Sequence, residues 1–256
     1  DVVIHGNVET GIVIKATGSI TIDGTVEACT LQAGKDIILR RGMLGGNRAS
    51  VKTKGNVFAK FFENTSIEAE GDIQADVLMN CEVKCGGKII LTGRRASIIG
   101  GEVHAIAGME VFSLGNEAET KTNIFVGADP DMHTRISMID RKITDLKEEL
   151  AKVEKGIAQF KTLEREKQVS FAQDPRRMAL LRVRIKDNAA LAENEAELRK
   201  LQDLMERSMG ASVKVLDKVH PGVRINIGIE KINVMNQASN IEFYLLDKKI
   251  RTRPAD

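Results

Sequence analysis

Glycines at near-regular intervals constrain this chain more than any other feature. Gly followed shortly by Val, Ile or another apolar residue recurs at Gly18, Gly34, Gly55, Gly71, Gly87 and Gly108, at intervals of 16, 21, 16, 16 and 21 residues. Between them lie short runs that alternate apolar and polar, such as Ser19-Ile20-Thr21-Ile22-Asp23 and Ser66-Ile67-Glu68-Ala69-Glu70. Alternation over four to six residues specifies strands with one buried face. Glycines between them supply corners that a Cβ resists. A unit this short is one coil of a parallel β-helix: a propeller blade is longer, and ankyrin or leucine-rich repeats carry a helix. No coil buries its inner face alone, so stability comes from stacking. The five extra residues of the longer units are expected as edge loops around Gly42–Asn47 and again near Gly100-Gly101.

From Pro130 the period changes. Ile136, Ile139, Ile143, Leu146, Leu150, Val153, Ile157 and Phe160 follow one another at steps of 3 and 4, an unbroken heptad seam with charged flanks. Ser170 to Pro175 reads as a turn, with Pro175 opening a second helix. That helix carries Met178, Leu181, Ile185, Leu191, Leu198, Leu201 and Met205, with a ragged stretch around Asn188 to Asn194, and stops at Gly210. Two helices of this length joined by a short turn read as an antiparallel hairpin about 50 Å long. After Gly210 strands resume at Val213–Val215, Val223–Ile227 and Ile241–Leu245. The expected domains are therefore a β-helix over 1–129, a helical insertion over 130–210, and returning strands over 211–256 that complete or cap the β-helix.

Composition excludes several functions. The three segments carry net charges of −3, +2 and +3, too weak for phosphate contacts to dominate binding, so nucleic acid is not an expected partner. Aromatics are 4 % with no Trp, which suits stacked strands and heptad seams better than ligand pockets. Cys29, Cys81 and Cys85 match no zinc spacing and read as buried thiols. His5, His104, His133 and His220 are far apart and supply no nucleophile or metal set. No apolar run reaches a membrane span. Neither cofactor nor catalytic residue is expected.

Four ordered elements resemble one family: Lys60-Phe61-Phe62-Glu63-Asn64; Ile98-Ile99-Gly100-Gly101-Glu102-Val103-His104-Ala105; Leu114-Gly115 followed by Thr122-Asn123-Ile124-Phe125-Val126-Gly127; and His220-Pro221-Gly222-Val223-Arg224-Ile225-Asn226-Ile227-Gly228. They are similar to motifs of the bacterial flagellar assembly protein A family, along nearly the whole chain. The resemblance implies a right-handed β-helix with an inserted coiled coil, and kinship in shape with the self-associating bactofilins. It carries no catalytic residues. Phe61, Glu63, Asn64, Gly100, Gly101, Thr122, Gly127, Pro221 and Gly222 are then structural.

The expectation is a mainly β protein with an α insertion: a right-handed parallel β-solenoid bearing an antiparallel coiled-coil hairpin. Its expected role is a non-enzymatic cytoplasmic scaffold, homo-oligomeric, acting with protein partners of the flagellar or polar machinery. Phe160, Phe171, Leu181 and Leu198 are the candidate partner-binding residues. Two rival roles stand beside it. A hexapeptide-type solenoid acyltransferase needs 18-residue coils, which intervals of 16 and 21 do not give. A membrane-surface adaptor would use the basic tail Asp247 to Arg253.

Overall fold

Buried rows running from coil to coil define the first unit. Ile20, Ile37, Val57, Ile73, Ile89, Met109 and Val213 follow one another in parallel register, each 0–1 % exposed. A second row runs through Val26, Met43, Phe62, Leu78, Ile98, Leu114 and Val219. A third runs through Leu31, Val51, Ile67, Val83, Val103, Ile124 and Ile225. Each buried aliphatic or aromatic side chain contributes about 1.5–3 kcal/mol, and the rows merge into one apolar core.

These coordinates come from a computed structural model, which describes residues 1–128 and 131–255. The first coil holds β1 (Val2–Ile4) and β2 (Val13–Ala16); the second, β3 (Ile20–Ile22), β4 (Val26–Glu27) and β5 (Thr30–Ala33). The third and fourth are single bent strands, β6 (Ile37–Thr53) and β7 (Val57–Ala69). Then come β8 (Ile73–Gln74) with β9 (Val77–Cys85), β10 (Ile89–Leu91) with β11 (Ser97–Ala105), and β12 (Met109–Leu114) with β13 (Thr122–Val126). The result is a β-solenoid of about six turns with two helices inserted, α1 (Met132–Lys167) and α2 (Pro175–Arg207). The chain divides into two compact units, Asp1–Asp129 with Glu206–Asp256, and Pro130–Met205. The expected start of the helical pattern at Pro130 lies outside the described residues.

The solenoid's register continues on the far side of the helices. β14 (Ser212–Val219) pairs in parallel with β12, and β15 (Val223–Ile227) with β13, Val126 lying opposite Ile227. Beyond them the pairing reverses. β16 (Glu230–Asn233) runs antiparallel to β15, β17 (Ala238–Leu246) to β14, and β18 (Lys249–Pro254) to β17. The outermost strand carries Lys249, Arg251, Arg253 and Pro254, the residue types that blunt a sheet edge.

The longer coils put their extra residues at identifiable breaks in register. In the third coil they fall between Leu39 and Gly42 and between Leu44 and Ala49, the latter overlapping the expected loop. The second set is not at Gly100-Gly101. Both glycines sit within β11, and the extra residues fall between Leu91 and Ser97, and in the next coil between Leu114 and Thr122. The glycine pair serves close stacking instead. Gly101 has φ +80°, and a Cβ there would collide with the carbonyl of Cys81 in the coil beneath.

Outer corners are tied by a side-chain ladder. Asp36 Oδ1 accepts from the Asn56 amide (2.7 Å), Asn56 Oδ1 from the Asp72 amide (2.8 Å), and Asp72 Oδ1 from the Lys88 amide (2.7 Å). The steps are 20, 16 and 16 residues, so the ladder reports coil length directly. Short Asx side chains reach a neighbouring backbone N–H where the chain turns and the sheet cannot.

Candidate interaction surfaces

Most of the family-like residues gather at one corner. Asn64 and Asn80 have φ +47° and +50°, and Gly100, in register with them, +70°. Amide side chains and glycine are the residues that tolerate this left-handed region. The residue after each asparagine turns inward, and so does Thr122, in register with Gly101 one coil on. Thr65 Oγ1 donates to the Glu63 carbonyl (2.9 Å), Cys81 Sγ to that of Met79 (3.3 Å), and Thr122 Oγ1 to that of Thr120 (2.9 Å). Each donates to the carbonyl two residues back in its own corner. Thr122, fully buried, also accepts from the Gly100 amide at 2.8 Å. Asn64 Nδ2 donates to Glu63 Oε1 at 3.2 Å. Phe61 lies over Gly42, where any Cβ would strike its ring. Gly222 receives the Thr122 amide on its carbonyl, Pro221 precedes it in the turn, and Gly127 (φ +90°) donates its amide to the Ala105 carbonyl.

Glu63 and Asn64 also border a shallow hollow of about 380 Å³ with Glu27, Leu44 and Arg48. Its walls are solvent-open side chains, and Leu44 is 44 % exposed.

In the helical unit, Ile139, Ile143 and Leu201 form a buried cluster joined by Ile136, Leu191 and Leu198. Ion pairs link Lys147 to Glu195 (3.0 Å), Glu154 to Arg184 (3.4 Å) and Glu164 to Arg177 (2.8 Å). The buried line of α2 differs from the expected one. Met178 and Ile185 are 41 % and 69 % exposed. A line of buried or half-buried residues runs instead through Arg177, Leu180, Arg184, Asp187, Leu191, Asn194, Leu198, Leu201 and Met205, again at steps of 3 and 4. The seam is continuous but polar in its first half, and the apolar pattern led one residue astray. Asp187 is buried with Oδ2 unpartnered. Stepping back by threes and fours from Leu191 would have found it.

The four candidate partner-binding residues are all half-buried. Phe160 and Phe171 pack on each other, ring centroids 6.2 Å apart. Glu164 Oε1 accepts from both the Phe171 amide and Arg177 Nη1 at 2.8 Å, closing the turn on itself. Leu198 packs on the buried cluster, and Leu181 flanks the seam.

Reactive groups are few. Burial pushes the Cys29 and Cys81 thiols up to about 11 and that of Cys85 to about 12, so all three stay protonated. His5 holds one oxygen of Asp23 and Arg40 the other, both at 2.7 Å. The His5 hydrogen bond, aided by Arg40, keeps the Asp23 carboxyl below the usual range. His104 stacks on Phe125 at 4.3 Å, with Nε2 2.8 Å from Glu102. Among the described residues no group of three His, Cys, Asp or Glu could hold a metal ion, and no helix is long and apolar enough to cross a membrane. The basic tail is an ordered strand. Arg253 bonds Glu242 at 2.6 Å and lies over the Tyr244 ring.

No curated protein and no solved structure matches the chain. A family model described as the flagellar assembly protein A beta solenoid domain matches residues 1–250, nearly the whole of a fold built from the coils and corners above, and the chain belongs to that family.

Proposed function

We propose that this chain is a non-enzymatic, cytoplasmic scaffold of flagellar assembly, in which the solenoid is the rigid body and the inserted helices recruit or join proteins. One observation carries the reading. β12 and β13 before the helices pair in register with β14 and β15 after them, so the insertion adds nothing to the stacking it interrupts. A segment of this length kept without a role in the core is best explained by what it binds. We take the helices as an antiparallel coiled-coil hairpin, which the pairings of 139 and 143 with 201, 147 with 195, 154 with 184 and 164 with 177 support. We take the winding as right-handed, as the family resemblance implies.

Self-association by stacking coil on coil is disfavoured at the C-terminal end, where antiparallel strands cover the last parallel ones. Association through the helices is favoured. The test replaces 131–207 by a short Gly-Ser linker and compares both forms by light scattering and by capture of proteins from the native cell. Loss of association or of captured proteins, with the strand signal retained in circular dichroism, supports the reading. A deletion form that associates and captures as the full chain does overturns it.

A further inference from the structure

α2 carries a second regular stripe on the side turned away from its seam. Met178, Arg182, Ile185, Ala189, Ala192 and Ala196 recur at steps of 4 and 3, and every one is exposed. This is the spacing of a coiled-coil seam, set about 150° round the helix from the seam used against α1 at 100° per residue. Ile185 is 69 % exposed and Met178 41 %. Apolar side chains at heptad spacing on a solvent face lack a reason within the unit. Three successive alanines would let another helix axis come close, toward the low end of the usual 8–10 Å.

Charge identifies the occupant. Arg182 lies in the first half of the stripe with Lys186 on its flank, and Glu193 lies on that same flank in the second half, one heptad beyond Lys186. Among the described residues, Arg182, Lys186 and Glu193 have no ion-pair partner. With Lys186 before Ala189 and Glu193 after it on one flank, the helix complements a copy of itself laid antiparallel. With Ala189 opposite Ala189 of the copy, Arg182 comes level with position 196 and Ile185 with position 193, so Lys186, one residue on, meets Glu193 twice by symmetry. A two-fold contact of this kind closes at two chains.

We infer that the outward stripe of α2 is a docking surface for α2 of a second copy, joined antiparallel about a two-fold axis through Ala189. This rests on the reading of the helices as an association arm, and specifies how they associate.

The experiment uses the full chain and sedimentation equilibrium. K186E and E193K, each alone, place like charges across the axis and should weaken the dimer roughly tenfold or more; the double variant K186E/E193K should restore it. In parallel, Ala189→Cys should form a disulfide-linked dimer on mild oxidation, whereas Ala172→Cys in the turn should not. A dimer that neither charge reversal weakens and Ala189→Cys does not cross-link overturns this surface while leaving association through the helices standing. A chain that is monomeric at every accessible concentration overturns both and leaves the stripe to a helix of another protein.

Discussion

The Gly100 amide and the Thr122 hydroxyl, 2.8 Å apart, join the corner of one coil to the corner of the next. Thr122→Val keeps the shape but strands a buried N–H and the Thr120 carbonyl. It should cost about 1–3 kcal/mol, read as a lower urea midpoint with unchanged slope. Thr122→Ser should recover most of the loss. A Val variant as stable as the parent would show that the hydroxyl is idle.

Gly101 makes a sharper case. Alanine there must take φ +80° and meet the Cys81 backbone at once. The strained conformation alone costs about 1–3 kcal/mol, and backbone cannot yield as a side chain can. Gly11 has a similar φ of +87° with nothing within 4 Å of its Cβ position. Gly11→Ala should therefore be the milder change, and the gap between the two melting points measures the stacking contact itself.

Stability at the C-terminal strands should depend on acid. Arg253, by its hydrogen bond, and Ser212 hold the Glu242 carboxyl below the usual carboxylate range, against the opposing effect of burial. A depressed folded value means the unfolded chain takes up the proton first. The contribution is therefore complete above about 4.5 and is lost as pH falls through the folded value. Tyr244 is the chain's single Tyr, there is no Trp, and its ring touches Arg253. Its emission should change in an acid step that Glu242→Gln abolishes.

The thiols should be silent. With values raised to about 11 and 12 by burial, the native chain at pH 8 should react with a disulfide reagent only as fast as it opens, and all three should react at once in denaturant. The same shift lowers stability as pH rises above about 9, where the unfolded thiols ionise and the folded ones do not. One thiol reacting rapidly in the native chain would contradict this.

The Asx ladder predicts a graded response. Asn56→Ala removes the acceptor for the Asp72 amide and the donor to Asp36, costing about 1 kcal/mol. Asn56→Asp keeps the acceptor but stacks carboxylates at 36, 56 and 72. It should match the parent at acid pH and fall below it at neutral pH.

Much of this fold was legible because a solenoid writes its period into the chain. Gly55, Gly71 and Gly87 mark coil starts because successive coils must turn over the same spot. The family-like residues Asn64, Gly101 and Thr122 are readable for the same reason, each serving a corner that recurs. What failed to show was placement within a period. Gly100-Gly101 looked like a loop because glycine pairs usually are, whereas here the need was for close approach. The α2 seam was misplaced by one residue because its first half is Arg177, Arg184 and Asp187, side chains that hydropathy assigns to water. Burial there follows from position opposite α1 and not from the residues' own preference.

In-register pairing across the helices has a further implication for how such a chain can change. The segment between Val126 and Val213 opens and closes within one turn of the solenoid, so its length and sequence are free variables as far as coil stacking is concerned. New helical segments could be exchanged there as cassettes, each tested on the same frame, while the coils on either side stay under strict geometric selection.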